Sequence, residues 1–147
     1  MFKHFLIPTD GSELSFQAMQ RAVSLAKELG ARVTFFFSKP EYPVAFYGEG
    51  ALIDPTTPEK FAETVDSQAR EIFAQAEQLA KNTGIAFDSM TAVSDLPYEA
   101  IINAAEKSGC DLIFMGSHGR RGIANLFQGS ETQKVLTHSK IPVLVYR

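Results

Sequence analysis

The chain is predicted to form one α/β domain spanning residues 1–147, an open five-stranded parallel sheet with helices on both faces. Three observations lead there. Short apolar runs alternate with helix-periodic segments along the chain, and parallel strands need such crossovers. The runs containing Val33, Phe35, Phe36 and Phe37, and Leu112 to Met115, are too apolar for a solvated face and suit strands buried on both sides. Glycine or proline stands at the junctions, at Pro8, Gly30, Gly84, Pro97 and Gly109.

In order, Phe2 to Ile7 reads as the first strand, closed by Pro8, which cannot donate to a central ladder. Asp10-Gly11 between apolar runs could form a hairpin. Yet Leu14, Ala18, Ala22, Val23, Leu25, Ala26 and Leu29 repeat at helical spacing up to Gly30, which makes Ser12 an N-cap. Ala31 to Phe37 is the second strand. From Ser38 to Thr57 the prolines and Gly48 and Gly50 break the pattern, giving a long irregular loop that carries Tyr42, Phe46 and Tyr47. Such loops are functional covers or solvated insertions, and both readings stay open. Thr57-Pro58 reads as an N-cap with proline at the first helical position, and Phe61, Val65, Ala69, Ile72, Phe73, Ala76, Leu79 and Ala80 continue the helix to Thr83. At 1.5 Å per residue it is roughly 39 Å long, so it projects past the sheet or bends. Ile85 to Val93, interrupted by Asp88, Ser89 and Thr91, is an edge strand. A third helix runs from Pro97 to Gly109 with Ala100, Ile101, Ala104 and Ala105 buried. The fourth is expected from about Ser130 to His138, and the last strand from Ile141 to Tyr146, also at an edge.

With 14 Lys+Arg against 17 Asp+Glu and a net charge of −3, nothing favours nucleic acid as a partner. One cysteine, Cys110, excludes an intramolecular disulfide and reads as a small buried apolar residue in a reducing compartment. The first eight residues lack a signal-peptide pattern, and no apolar run approaches the length of a membrane span. The expectation is a cytoplasmic protein with no membrane partner.

The stretch from Asp111 to Leu136 carries the chemistry. A buried strand ends at Gly116, a glycine loop follows, and Gly129-Ser130 is placed where a helix would offer free N–H groups and a positive dipole end. Ligands in open parallel sheets gather at the carboxyl ends of the strands, where strand order reverses. Strands one and four would flank that crevice, bringing Pro8 to Ser12 beside Gly116 to Ser130. The glycines would let the backbone take positive φ close to an anion, above all a phosphate. The stretch is not a P-loop, since no Gly-x4-Gly-Lys-Ser/Thr occurs, and Gly48-Glu49-Gly50 lacks the third glycine of a dinucleotide fingerprint.

Gly116, two residues, Gly119, nine residues, then Gly129-Ser130 resembles the Gly-x2-Gly-x9-Gly-Ser/Thr nucleotide loop of the universal stress protein family. The opening Ile7-Pro8-Thr9-Asp10-Gly11-Ser12 and the closing Ile141-Pro142-Val143-Leu144-Val145 are similar to that family as well. The resemblance implies a Rossmann-like fold of the adenine nucleotide alpha hydrolase type and a dimeric regulatory or protective role in stress. It implies ATP, or ADP or AMP, as ligand, with Mg as an optional companion. Pro8, Thr9 and Asp10 would then border the adenosine, Ser38 would lie beside adenine, Met115, Gly116 and Gly119 would line ribose and phosphates, and Gly129 and Ser130 would hold phosphate. A two-fold dimer through Ile141 to Tyr146 is also implied.

Two positions depart from the family pattern. Ser38, preceded by Phe37, stands where an aliphatic residue is usual beside adenine, and Glu131 stands where a small apolar residue, often valine, offers its amide to the phosphates. Glu131 either points away, serving the helix dipole, or points in and opposes the ligand's charge; the outward orientation is expected. His118 is read as a phosphate contact or a solvated residue, because no second titratable partner supports catalysis. Arg120 and Arg121 would pair with phosphate or with water, and Asp10 would contact the ligand or only form its turn. No catalytic residue and no metal ligand is assigned. The alternatives to a nucleotide-binding regulator are an association module of the same fold that binds no nucleotide, and a slow ATP hydrolase.

Overall fold

The computed structural model describes residues 1–43, 57–117 and 126–147, with residues 126–129 described through their backbone alone. Strands β1 (His4–Pro8), β2 (Arg32–Lys39), β3 (Phe87–Val93), β4 (Leu112–Gly116) and β5 (Val143–Tyr146) alternate with helices α1 (Glu13–Leu29), α2 (Pro58–Thr83), α3 (Pro97–Ser108) and α4 (Leu126–His138). The strands form one parallel sheet in the order β3-β2-β1-β4-β5. Both expected edge strands are at the edges, and the order reverses between β1 and β4.

Side-chain alternation along the strands sorts the core into two layers. Phe5, Ile7, Val33, Phe35, Leu112 and Phe114 meet Ala18, Met19, Ala22, Val23 and Ala26 of α1 and Ala76 and Ala80 of α2. On the opposite face Leu6, Phe36, Ile113 and Met115 meet the small stripe of α3 and Val135 of α4. A third, smaller cluster joins Phe37 to Val65, Ala69 and Ile72 in the first fifteen residues of α2, with Phe73 packed against both this cluster and the first. The long helix therefore covers the sheet with one half and the carboxyl end of β2 with the other.

The helix signals work as expected. Ser12 and Thr57 accept from the Ser15 and Lys60 amides, and Pro58 and Pro97 open their helices. Gly30, Gly84 and Gly109 end three helices in the left-handed region. These ends also explain why two strands start later than the apolar pattern indicates. Ala31 and Ile85 each donate their amide back to the preceding helix, to Ala26 and Ala80, so the ladders begin beyond them, at Arg32 and Phe87. At the N-terminus the carboxylate of Asp111 takes the amides of Lys3 and His4 at 2.9 and 3.0 Å, and β1 begins at His4 instead of Phe2. Pro142 has no amide and Ser139 Oγ takes that of Ile141, so β5 starts at Val143.

Pro8 belongs to β1 after all. The Lys3 carbonyl and the Thr9 amide bond to β2, so even-numbered positions turn toward β4, whose pairing with β1 goes no further than Leu6 opposite Ile113. The missing N–H of Pro8 thus falls beyond that ladder and costs no bond. At the other end of the irregular segment, β2 extends through Ser38 to Lys39, which lengthens the strand at the expense of the expected loop. Residues 44–56, which include Phe46 and Tyr47, lie outside the described residues.

Candidate functional site

A cleft of about 260 Å³ opens at the carboxyl ends of β1, β2 and β4, where the strand order reverses. Its walls are mostly carbon. Pro8, Phe36 and Met115 come from the strands, Pro97 and Ile101 from α3, and Leu14 from the first turn of α1. Thr9, Asp10, Ser12, Ser15, Ser38, Glu131 and Thr132 add polar groups around them. Of the residues expected here, Pro8, Thr9, Asp10, Ser38, Met115, Gly116 and Glu131 line one cleft, while Gly129 and Ser130 lie close by in α4. His118, Gly119, Arg120 and Arg121 lie outside the described residues.

The floor of the cleft is tied together by hydroxyls. Thr9 is buried, and its Oγ1 accepts from the Ser15 hydroxyl at 2.9 Å and from the Gly11 amide. Asp10 is exposed; its Oδ1 accepts from the Ser12 amide at 2.9 Å, forming the turn that leads into α1. Gly11 in that turn has φ +81°, and a Cβ there would stand 3.0 Å from Ile72 Cδ1. Glycine is favoured on both counts.

Gly116 serves differently from the sequence expectation. It is the last residue of β4 and its φ is not positive. Its missing side chain makes room for α1, since a Cβ would come within 3.2 Å of Ala18 Cβ and 3.5 Å of the Leu14 carbonyl. Its carbonyl accepts from Thr132 Oγ1 at 3.1 Å, fixing α4 to the end of β4. Thr132 is buried and was not singled out from sequence. Its only signal is a small polar residue in a helix turn facing a strand end.

Helix α4 begins at Leu126, so Ser130 does not open it. Leu126, Phe127 and Gln128 are acceptable helix formers, and the roughly 1 kcal/mol that Gly129 costs relative to alanine does not stop a helix. Ser130 lies past the first four residues, whose amides are the unsatisfied ones. It can offer its exposed hydroxyl.

Glu131 lines the cleft, but its carboxylate is engaged by α3 and does not point to open solvent. Its side chain is 21% exposed, and Oε2 accepts from the backbone amide of Tyr98 at 2.8 Å, with Lys134 Nζ at 3.4 Å from Oε1. The first turn of α3 has no side-chain cap of its own, because Leu96 occupies the N-cap position. Glu131 supplies that cap from another helix. Lys134 Nζ also lies 5.5 Å from the Tyr98 ring centre, and the His138 ring lies tilted against Tyr98 at 5.3 Å between centres. The lack of a capping side chain before Pro97 is a sign in the sequence that the first amides of α3 take water or an acceptor from elsewhere in the fold.

The family model for the universal stress protein family matches residues 1–147. The chain belongs to the universal stress protein family. It is 33% identical over 147 residues to a universal stress protein of Thermus aquaticus and 30% identical over 151 residues to universal stress protein YxiE of Bacillus subtilis, each match covering 100% of both chains. Among solved structures, a universal stress protein in complex with cAMP superimposes with a TM-score of 0.73 at 22% identity, covering 99% of this chain and 97% of the other. The universal stress protein of Archaeoglobus fulgidus in complex with dAMP gives 0.66 at 18% identity, covering 100% and 98%. At these identities the structural likeness concerns the fold, and the stress-response family is given by the sequence relatives. No helix among the described residues is long and apolar enough to cross a membrane.

Proposed function

We propose that this universal stress protein binds an adenine nucleotide in the cleft at the β1/β4 reversal and acts in the cytoplasm as a dimeric regulatory or protective protein. The observation that carries this reading is the composition of the cleft. Phe36, Ile101, Pro97 and Met115 provide flat and branched apolar surface of the kind a purine and ribose bury, at the switch point where open α/β sheets take ligands. The spacing Gly116-x2-Gly119-x9-Gly129-Ser130 resembles the nucleotide loop of the family, and the exposed Ser130 of α4, next to the cleft residue Glu131, is the group we assign to a phosphate. The cAMP and dAMP carried by two proteins of this fold are in keeping with it.

A second reading has one observation in its favour. Among the described residues lining the cleft, the charged side chains are Asp10 and Glu131, both acidic. An association module without nucleotide would have no need of a cation there. Thermal unfolding separates the two: ligand at a hundred times its dissociation constant adds about 2.7 kcal/mol, or roughly 5 to 10 °C in a domain of this size. Saturating ATP, ADP or AMP, with and without magnesium, is expected to give that rise. No shift with any of them selects the association module.

For assembly, we propose that β5 pairs antiparallel with its copy across a two-fold axis. It is an edge strand with Leu144 exposed, and such an edge is an association site unless covered.

A further inference from the structure

We propose that the Ser38 hydroxyl is a specificity-determining group that hydrogen-bonds the polar edge of the bound base. The inference rests on the nucleotide reading above and deepens it. Buried hydroxyls elsewhere around the cleft are satisfied: Thr9 by Ser15 and Gly11, and Thr132 by the Gly116 carbonyl. Thr34, earlier on β2, meets His4 Nε2 at 2.7 Å. Ser38 differs. Its Oγ is buried and, among the described residues, is the buried side-chain oxygen with no hydrogen-bond partner. An unpaired buried hydroxyl is costly, and native chains keep few of them without a use.

Position explains the use. Alternation along β2 sends Thr34, Phe36 and Ser38 to the face covered by α3, while Phe35 and Phe37 pack under α1 and α2. Ser38 therefore stands one strand repeat beyond Phe36, at the carboxyl end of β2, where Pro97 and Ile101 form the opposite wall. A base lying on Phe36 and Ile101 would turn its edge toward Ser38. Serine is both donor and acceptor, and its χ1 has three accessible wells, so rotation can bring Oγ from its buried position onto a ring nitrogen or an exocyclic group. In its buried position the hydroxyl has no partner among the described residues, and turned into the cleft it meets the base. An apolar residue here would weaken the choice of base.

The test uses the full chain with AMP and ribose 5-phosphate, the second lacking the base. Ser38→Ala is expected to lower AMP affinity about tenfold and to leave ribose 5-phosphate affinity within about twofold. Its melting temperature without ligand should equal that of the wild type or exceed it by about 2 to 4 °C. Ser38→Thr, which keeps the hydroxyl, should bind AMP within about threefold of the wild type and guards against a folding defect in the alanine variant. Unchanged AMP affinity in Ser38→Ala, or an equal loss for both ligands, overturns the proposal while leaving nucleotide binding intact. A wild-type protein that binds no AMP overturns both.

Discussion

Removing the Glu131 carboxylate should weaken the fold itself, and by an amount that the geometry sets. Oε2 receives the Tyr98 amide at 2.8 Å on a side chain only 21% exposed, at a helix end whose own cap position is Leu96. Loss of a capping acceptor costs about 1 kcal/mol, and loss of a carboxylate at a helix N-terminus adds roughly 0.3 to 1 kcal/mol. Lys134, 46% exposed and 3.4 Å away, contributes little to this sum. A total near 1.5 to 2 kcal/mol corresponds to a fall of about 3 to 8 °C in melting temperature for a domain of this length. Thermal unfolding followed by circular dichroism should place Glu131→Ala in that range and Glu131→Gln, which keeps an acceptor without charge, about halfway. A Glu131→Ala protein melting within about 1 °C of the wild type would refute the assignment of Glu131 as the cap of α3. Because the carboxylate is engaged by α3, Glu131→Ala should change AMP affinity by less than about fivefold.

Further outcomes follow from other contacts. Gly11→Ala should cost about 1 to 2 kcal/mol in denaturant unfolding, since φ is +81° and the new methyl would press on Ile72. His4 titrates below its ordinary 6.5, chiefly because burial penalises the imidazolium and also because Arg32 repels it, with Asp111 and Asp88 opposing. The folded state then binds that proton less readily than the unfolded chain, so its contribution is complete above pH 6.5 and is lost as pH falls through the lower folded value. The wild type should lose more stability between about pH 7.5 and pH 5 than His4→Gln does, and parallel profiles would contradict this. Burial raises the Cys110 thiol to about 11, so a thiol reagent at pH 8 should label the unfolded protein and spare the folded one. Leu144→Asp should shift sedimentation at tens of micromolar from dimer to monomer; a monomeric wild type rejects the β5 pairing.

Local signals fixed the architecture here because most of its determinants are local. Hydrophobic period, proline at helix starts and glycine at helix ends located the elements and both sheet edges from sequence. The errors at strand starts come from bonds that sequence does not display: Asp111 reaches back to Lys3 and His4, and the amides of Ala31 and Ile85 return to their helices. The site was legible along the segments that carry its glycines and turns, and much less so across them. Glu131 meets Tyr98 from a different helix, so its orientation depended on how α3 and α4 pack. The apolar wall was within reach, since alternation along β2 puts Phe36 on the same face as Ser38, and the α3 stripe already named Ile101. Gly116 is expected from sequence to supply positive φ beside an anion, whereas the close approach of α1 to the strand end is what disfavours a side chain there.

The division of α2 between two apolar clusters has a consequence for amide hydrogen exchange. Ala76 and Ala80 are fully buried in the main layer, so exposing them opens the core that holds α1 and the sheet together. Val65, Ala69 and Ile72 rest on Phe37 in a small separate cluster, whose apolar contacts can be lost while the sheet remains intact. One continuous helix should then exchange as two cooperative units, with Phe73, which touches both clusters, at their boundary. The amides before it would report a sub-global opening over the carboxyl end of β2, and those after it the opening of the whole domain.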